Sequence, residues 1–397
     1  MNKKLISKKK PVYPISKELT DYLIKNGRNI KIPICYDDLL RYQGAVSIFD
    51  KNGDDTLWLS TYFSVNDQEE IELGLKKIYT ILHADGNDST LPFISVDSID
   101  YCTFGNTKPF RIKIRNILND NYTFYYLKRA DASRVYGLEL EHLLSPNHID
   151  FLVFKDTIIE DHISGIPCDI FIEDHLNRCS LQDKKALSKE FVKFNERCFV
   201  RLLGDMRAYN YVVVLTHDFD RIQYRLRAID FDQQSFEGNV KVYKPQYLKE
   251  NNTFVEMSLE LLRKGSIDQY EKEERSLLAK RAISSDYRLK HLLNCMQKDK
   301  VSTLEKTNQL KGDLLKLTGD LNFKKATNID KQKIFSSQQH ITTQPGQQID
   351  NNIKSSKVRP VEIPVIPQAN QSPIASARPV STSIDLTPVL RKLDALE

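Results

Sequence analysis

The sequence lacks any apolar run of the roughly 18 residues that a membrane helix needs. Its longest apolar stretches, such as Tyr211-Val212-Val213-Val214-Leu215, are strand-sized. No long apolar segment follows the basic first ten residues, so no secretory leader is expected. Close cysteine pairs are also missing: Cys35, Cys102, Cys168, Cys179, Cys198 and Cys295 are scattered and form no Cys-x-x-Cys. This spacing argues against a disulfide framework and suits reduced thiols in a cytoplasmic protein. The body of the chain has no positive surplus either. The formal charge of +5 is matched by the five lysines of the first ten residues, and residues 331–397 add three more positive charges. Residues 11–330 are therefore three charges negative. That balance gives no support for a nucleic-acid groove.

What is present is enough for a packed core: 397 residues, 40% hydrophobic and 28% charged. That length suits two or three structural units. Residues 1–10 read as a basic flexible arm. Residues 11–100 read as a small α/β unit of unassigned role, with a hairpin over 44–50 and 55–63 around Lys51-Asn52-Gly53-Asp54, then a helix over 67–83. From 101 the pattern becomes strand-rich: strands over 110–118 and 122–129, a helix over 133–144, and strands over 149–161 and 166–174. A long helix over 180–203 opens on the capping-box signal Ser180-x-x-Asp183. Strands over 211–215 and 222–229 follow, then helical sequence to about 325. Residues 331–383 hold eight glutamines and six prolines without an apolar period, and read as disordered. The segment 385–397 carries a short helix signal with Leu390, Leu393 and Leu396 on one face, which would suit a protein partner.

The chemistry-bearing segments are Leu203-Gly204-Asp205-Met206-Arg207-Ala208-Tyr209-Asn210 and Ala228-Ile229-Asp230-Phe231-Asp232. The first places an acid at the end of a helix, with an amide five residues later opening a strand. The hairpin that follows delivers further acids at its end. Phosphoryl transfer needs such a set: one carboxylate to orient a hydroxyl and take its proton, and an amide oxygen with further carboxylates to hold magnesium.

These two segments resemble the catalytic and metal-binding loops of protein-kinase-like phosphotransferases, closest to the aminoglycoside phosphotransferase and choline kinase branch. The resemblance spans roughly residues 101–300. It implies a bilobal α+β kinase-like fold, with an N-lobe and hinge over 101–176 and a helical C-lobe over 177–330. It implies ATP and Mg2+ as cofactors and an unknown hydroxyl acceptor, either a small molecule or a protein. Asp205 would be the catalytic base. Asn210 and Asp230, with Asp232 assisting, would hold the metal, and Phe231 would pack beneath it. Lys128, in Tyr125-Tyr126-Leu127-Lys128, would contact the phosphates, paired with Glu139 or Glu141 from the next helix. Glu139 is preferred because it shares a helical face with Val135 and His142. Phe171-Ile172-Glu173-Asp174-His175 would be the adenine-binding hinge, which brings in Glu173 and His175. Leu203 stands where the family usually has histidine, and Phe104-Gly105-Asn106-Thr107 is a phosphate-loop candidate with one glycine. The alternative is a catalytically weak or dead pseudokinase, an interaction protein working through its C-terminal tail. A zinc set of His162, Cys168, His175 and Cys179 is a weaker reading, because no paired knuckle is present.

Overall fold

Hairpins and capped helices form where the sequence supplies turn and cap residues. The computed structural model describes residues 10–319, apart from 51–52, 105–106 and 219–220. The expectations for residues 1–9, Gly105, 331–383 and 385–397 lie outside the described residues.

The chain begins with α1 (Lys17–Lys25), capped by the Ser16 hydroxyl, and α2 (Tyr36–Leu39). β1 (Gly44–Phe49) and β2 (Asp55–Tyr62) form the expected hairpin, followed by α3 (Val65–His83). Then come β3 (Ile94–Cys102), β4 (Phe110–Asn116) and β5 (Tyr122–Arg129). α4 (Ala132–Leu144) leads to β6 (Phe151–Phe154) and β7 (Thr157–Asp161). β8 (Ile166–Pro167) and α5 (Cys168–Ile170) precede α6 (Leu181–Arg201). β9 (Tyr211–Asp218) and β10 (Arg221–Ala228) form a second long hairpin. α7 (Asn252–Leu261), α8 (Lys264–Ser284), α9 (Asp286–Lys298) and α10 (Leu304–Thr318) follow.

The result is a mixed α+β architecture. Among the described residues, an antiparallel seven-stranded sheet has the order β1-β2-β3-β4-β5-β7-β6, and β10-β9-β8 form a smaller sheet. The apolar face of α3 (Ile71, Leu75, Ile78) packs with Ile112, Ile114 and Tyr125 of the large sheet. Each such fully buried aliphatic side chain contributes about 1.5–3 kcal/mol of transfer free energy. The Tyr125 hydroxyl donates to the Leu75 carbonyl at 2.8 Å, which satisfies its buried oxygen. A second core joins α1 and α4 to α6, the β9–β10 hairpin and α7–α9. α6 has the reciprocal Ser180/Asp183 capping box that its sequence signals.

Four expectations along the chain differ from the structure. The proposed boundary at 100/101 falls inside β3, and β1–β3 are continuous with β4 and β5 in one sheet, so residues 11–100 do not form a separate sheet. The strand over 149–161 is the hairpin β6–β7, turned at Lys155, whose φ is 51°. The strand over 166–174 is two residues long, then gives way to α5 and a π-helical turn at Phe171–His175. Pro167 pairs with Val212 at the end of the strand and, with no amide hydrogen to extend the ladder, is followed at once by the helical turn. The basic arm also ends differently from a free terminus. Lys10 Nζ is buried and lies 2.9 Å from both Asp131 carboxylate oxygens.

Candidate active site

α6 delivers the first chemical loop by ending sharply. Leu202 takes the left-handed conformation at the C-cap, with φ 55°, and its amide bonds back to Cys198 and Phe199. The next residues are fastened to the segment that follows Asp230. Leu203 bridges Gln234, the Gly204 amide donates to the Gln233 carbonyl at 3.3 Å, and the Ser235 amide donates to the Leu202 carbonyl at 2.9 Å. Gly204 is required by this approach. A Cβ there would lie 2.9 Å from Val242 Cγ1 and 3.2 Å from the Gln233 carbonyl oxygen. Asp205 itself is left-handed, at φ 60°, a costly conformation for a non-glycine residue.

Asn210 closes the loop. Its Nδ2 donates to the Asp205 carbonyl at 2.7 Å, and its own carbonyl accepts the Ile229 amide at 3.0 Å. Asp205, Asn210 and Asp230 therefore lie on two loops fastened to each other at the open end of the β9–β10 hairpin, where Tyr211 pairs with Ala228. The Asp205 carboxylate accepts from Arg207 Nε at 2.8 Å, and Arg207 also reaches Glu250 at 3.2 Å. Burial pushes the Asp205 carboxyl up to about 7; Arg207 opposes the shift and Asp230 adds to it.

α4 supplies a cation that the sequence reading did not select. Arg134 Nη1 donates to Asp230 Oδ1 at 3.0 Å and to Asp232 Oδ1 at 2.7 Å. The other side of the guanidinium grips Glu160, with Nη2 2.7 Å from Oε2 and Nε on Oε1. Lys128 Nζ also donates to Glu160 Oε2, at 2.9 Å. Burial lowers the Lys128 pKa and the Arg134 charge adds to that, while the two cations hold the Glu160 carboxyl down at about 2 against the effect of burial. The Asp230 carboxyl is raised, first by burial and then by Asp232. Gly137 allows the acidic loop to lie against α4: a Cβ there would come within 3.0 Å of Phe231 Cβ. Phe231 is fully buried.

Glu139 does not partner Lys128. It is fully buried on another side of α4, where it accepts from the Tyr22 hydroxyl at 2.8 Å, Arg28 Nε at 3.1 Å and Arg288 Nη2 at 2.7 Å. Arg134 and Glu139 are five residues apart, about 140° around a helix of 3.6 residues per turn, so both cannot face the acidic loop. Glu141, the other candidate, pairs with Arg201 and accepts from Asn147 Nδ2 at 3.0 Å. Glu173 is exposed and His175 stacks on Phe171 at 5.7 Å between ring centroids, both in the π-helical turn rather than an extended hinge. Leu203, at the usual histidine position, is fully buried.

Asp205, Arg207, Glu250, Lys128, Arg134, Glu160, Asp230 and Asp232 set five carboxylates against three cations. The set is two charges negative, and among the described residues no group of three or more His, Cys, Asp or Glu side chains is arranged to hold a metal ion. Asp230 is open on one side, with 34% of its side chain exposed. A scan against protein-family models and a search of curated proteins find no match to this chain.

Proposed function

We propose that the chain is an ATP- and Mg2+-dependent phosphotransferase with a protein-kinase-like fold that passes the γ-phosphoryl group to a hydroxyl acceptor. The observation that carries this reading is the fastening of the Asp205–Asn210 loop to the Asp230–Asp232 loop, which Arg134 and Glu160 link to Lys128. The sheet order supports it too: β3-β4-β5-β7-β6, with α4 between β5 and β6, places the lysine strand centrally and the helix beside it.

In this reading Asp205 orients the acceptor hydroxyl and takes its proton. A carboxyl raised to about 7 suits proton transfer near neutral pH. Asp230, Asp232 and the Asn210 amide oxygen would hold magnesium, which neutralises phosphate charge when bound. Lys128, held by Glu160, would face the phosphates. Titration calorimetry of the purified chain with ATP and magnesium should give saturable binding that Lys128→Met weakens at least tenfold. Absence of binding in both proteins would remove the nucleotide from the account.

A second reading is favoured by one contact. Arg134 already lies across both acids that would hold the metal, as a protein that has given up transfer would permit. That protein would be a pseudokinase-like body, presenting 385–397 to a protein partner. Deleting 385–397 should then abolish recovery of the partner without moving the thermal midpoint.

A further inference from the structure

β1 is the outer strand of the seven-stranded sheet, and among the described residues it pairs only with β2. Its sequence, Gly44-Ala45-Val46-Ser47-Ile48-Phe49, carries no charge and no proline, two of the devices that guard natural sheet edges. The Gln43 amide donates to the Tyr62 carbonyl at 2.8 Å. Backbone alternation therefore turns the Gly44 and Val46 amides and carbonyls outward, away from β2. The side chains beside that edge are apolar and open to solvent. Val46 is 58% exposed, and Tyr62, diagonal to it on the same face, is 55% exposed. A row of outward backbone groups beside exposed apolar side chains fits one more strand.

The sequence beyond α10 holds a segment of matching pattern, Arg359-Pro360-Val361-Glu362-Ile363-Pro364-Val365-Ile366-Pro367. It lies outside the described residues. Along an extended strand the amides point to alternate sides. Pro360 and Pro364 are four residues apart, so both missing amides fall on one side. Val361, Ile363 and Val365 present complete amides and carbonyls on the other. Pro367 breaks this parity and ends the pairing. Charge sets the direction. Lys357 and Arg359 stand at the start of the segment, and Asp50, Asp54 and Asp55 stand at the β1–β2 turn, so an antiparallel approach brings opposite charges together. About 40 residues lead from Gly319 to Arg359. A chain of that length spans up to ~130 Å, several times the radius of gyration of about 20 Å expected for a domain of this size. We propose that residues 359–366 dock on β1 of their own chain as an antiparallel eighth strand. Ile363 and Val365 pair with Val46 and Gly44, and their side chains cover Val46 and Tyr62. The two prolines face solvent and stop a further strand from adding. Because the segment is tethered, docking is intramolecular and independent of protein concentration.

The test is hydrogen exchange of the full chain, followed in peptides spanning 42–49. Wild type should protect the edge amides, and tenfold dilution should leave that protection unchanged. Ile363→Pro removes the central edge-facing amide and should speed their exchange at least tenfold. Glu362→Pro puts its ring on the solvent side and should leave exchange as in wild type. Exchange that Ile363→Pro does not change overturns the proposal. Equal acceleration by Glu362→Pro overturns the strand pairing, because only one parity fits an edge. Protection that falls on dilution assigns the edge to a second copy of the chain and overturns docking by its own segment.

Discussion

Lys128 and Glu160 meet across neighbouring strands, with Lys128 Nζ 2.9 Å from Glu160 Oε2. β5 and β7 run antiparallel with Tyr126 opposite Glu160 and Lys128 opposite Ile158. The two side chains are therefore diagonal neighbours on one face of the sheet. The lysine is anchored by its own sheet, and α4 contributes Arg134 to the same carboxylate.

That arrangement predicts a specific pattern of energetic coupling. A double-mutant cycle between Lys128→Met and Glu160→Gln, read by urea denaturation, should show an interaction of about 0.5–3 kcal/mol. The cycle between Lys128→Met and Glu139→Gln should be additive within about 0.5 kcal/mol. Glu139→Ala alone should cost about 3–5 kcal/mol, because it strands Arg28 and Arg288 beside a buried site. Coupling of Lys128 to Glu139 would contradict the described contacts.

Glycine at 204 is a packing requirement of the acidic site. Gly204→Ala should cost about 1–3 kcal/mol, because its Cβ meets Val242 Cγ1 and the Gln233 carbonyl. Gly137→Ala gains helix propensity of about 1 kcal/mol but drives against Phe231 and Gln234, so the net change should be destabilising. Both are checked by chemical denaturation. A stabilised Gly204→Ala protein would show that the two loops are not fastened as described.

The Asn210 amide should matter before any ligand is present. Asn210→Ala removes its bond to the Asp205 carbonyl and should cost about 0.5–1.5 kcal/mol in the ligand-free protein. Denaturation without nucleotide or metal measures this directly. An unchanged midpoint would assign Asn210 no part in holding the loop.

Two histidines give the fold an acid-side weakness. Burial lowers the His142 pKa from 6.5 to about 4, with Arg28 adding to the effect. Burial likewise lowers His162 to about 4, helped by Arg111. Between those values the unfolded chain binds protons that the folded chain refuses. Stability should therefore be unaffected by these groups above pH 6.5 and fall as the pH drops from 6.5 toward 4. Comparing midpoints at pH 7 and pH 5 for wild type, His142→Gln and His162→Phe reads the effect. Each substitution should flatten the pH slope; a slope identical to wild type in both would reassign it to other groups.

Much of the fold was legible where local signals were strong. Strand-sized apolar segments between turn residues marked β4, β5, β9 and β10, and the Ser180/Asp183 box marked α6. The Asp205–Asn210 spacing and the acids after the second hairpin identified two loops that do meet. The partner of Lys128 was not legible, for a physical reason. Alternation tells which face a strand residue occupies but not which strand lies beside it, and β7 reaches β5 only through the intervening helix and hairpin. The direction of Glu139 was hidden differently. α4 is buried on almost every side, with His142 alone left partly open, so its sequence offers no polar stripe to show which face meets the site. Pro167 marked the end of a strand that was read through it.

A single phosphotransfer site built from Asp205 and Asp230 would need both carboxylates for turnover. The most direct measurement is phosphate release or transfer from ATP with magnesium by the purified chain, compared with Asp205→Asn and Asp230→Ala at equal folded fraction. Wild type should turn over slowly, and each variant should lose at least a hundredfold. Turnover that persists in Asp230→Ala, or a wild type as inert as both variants, would contradict it.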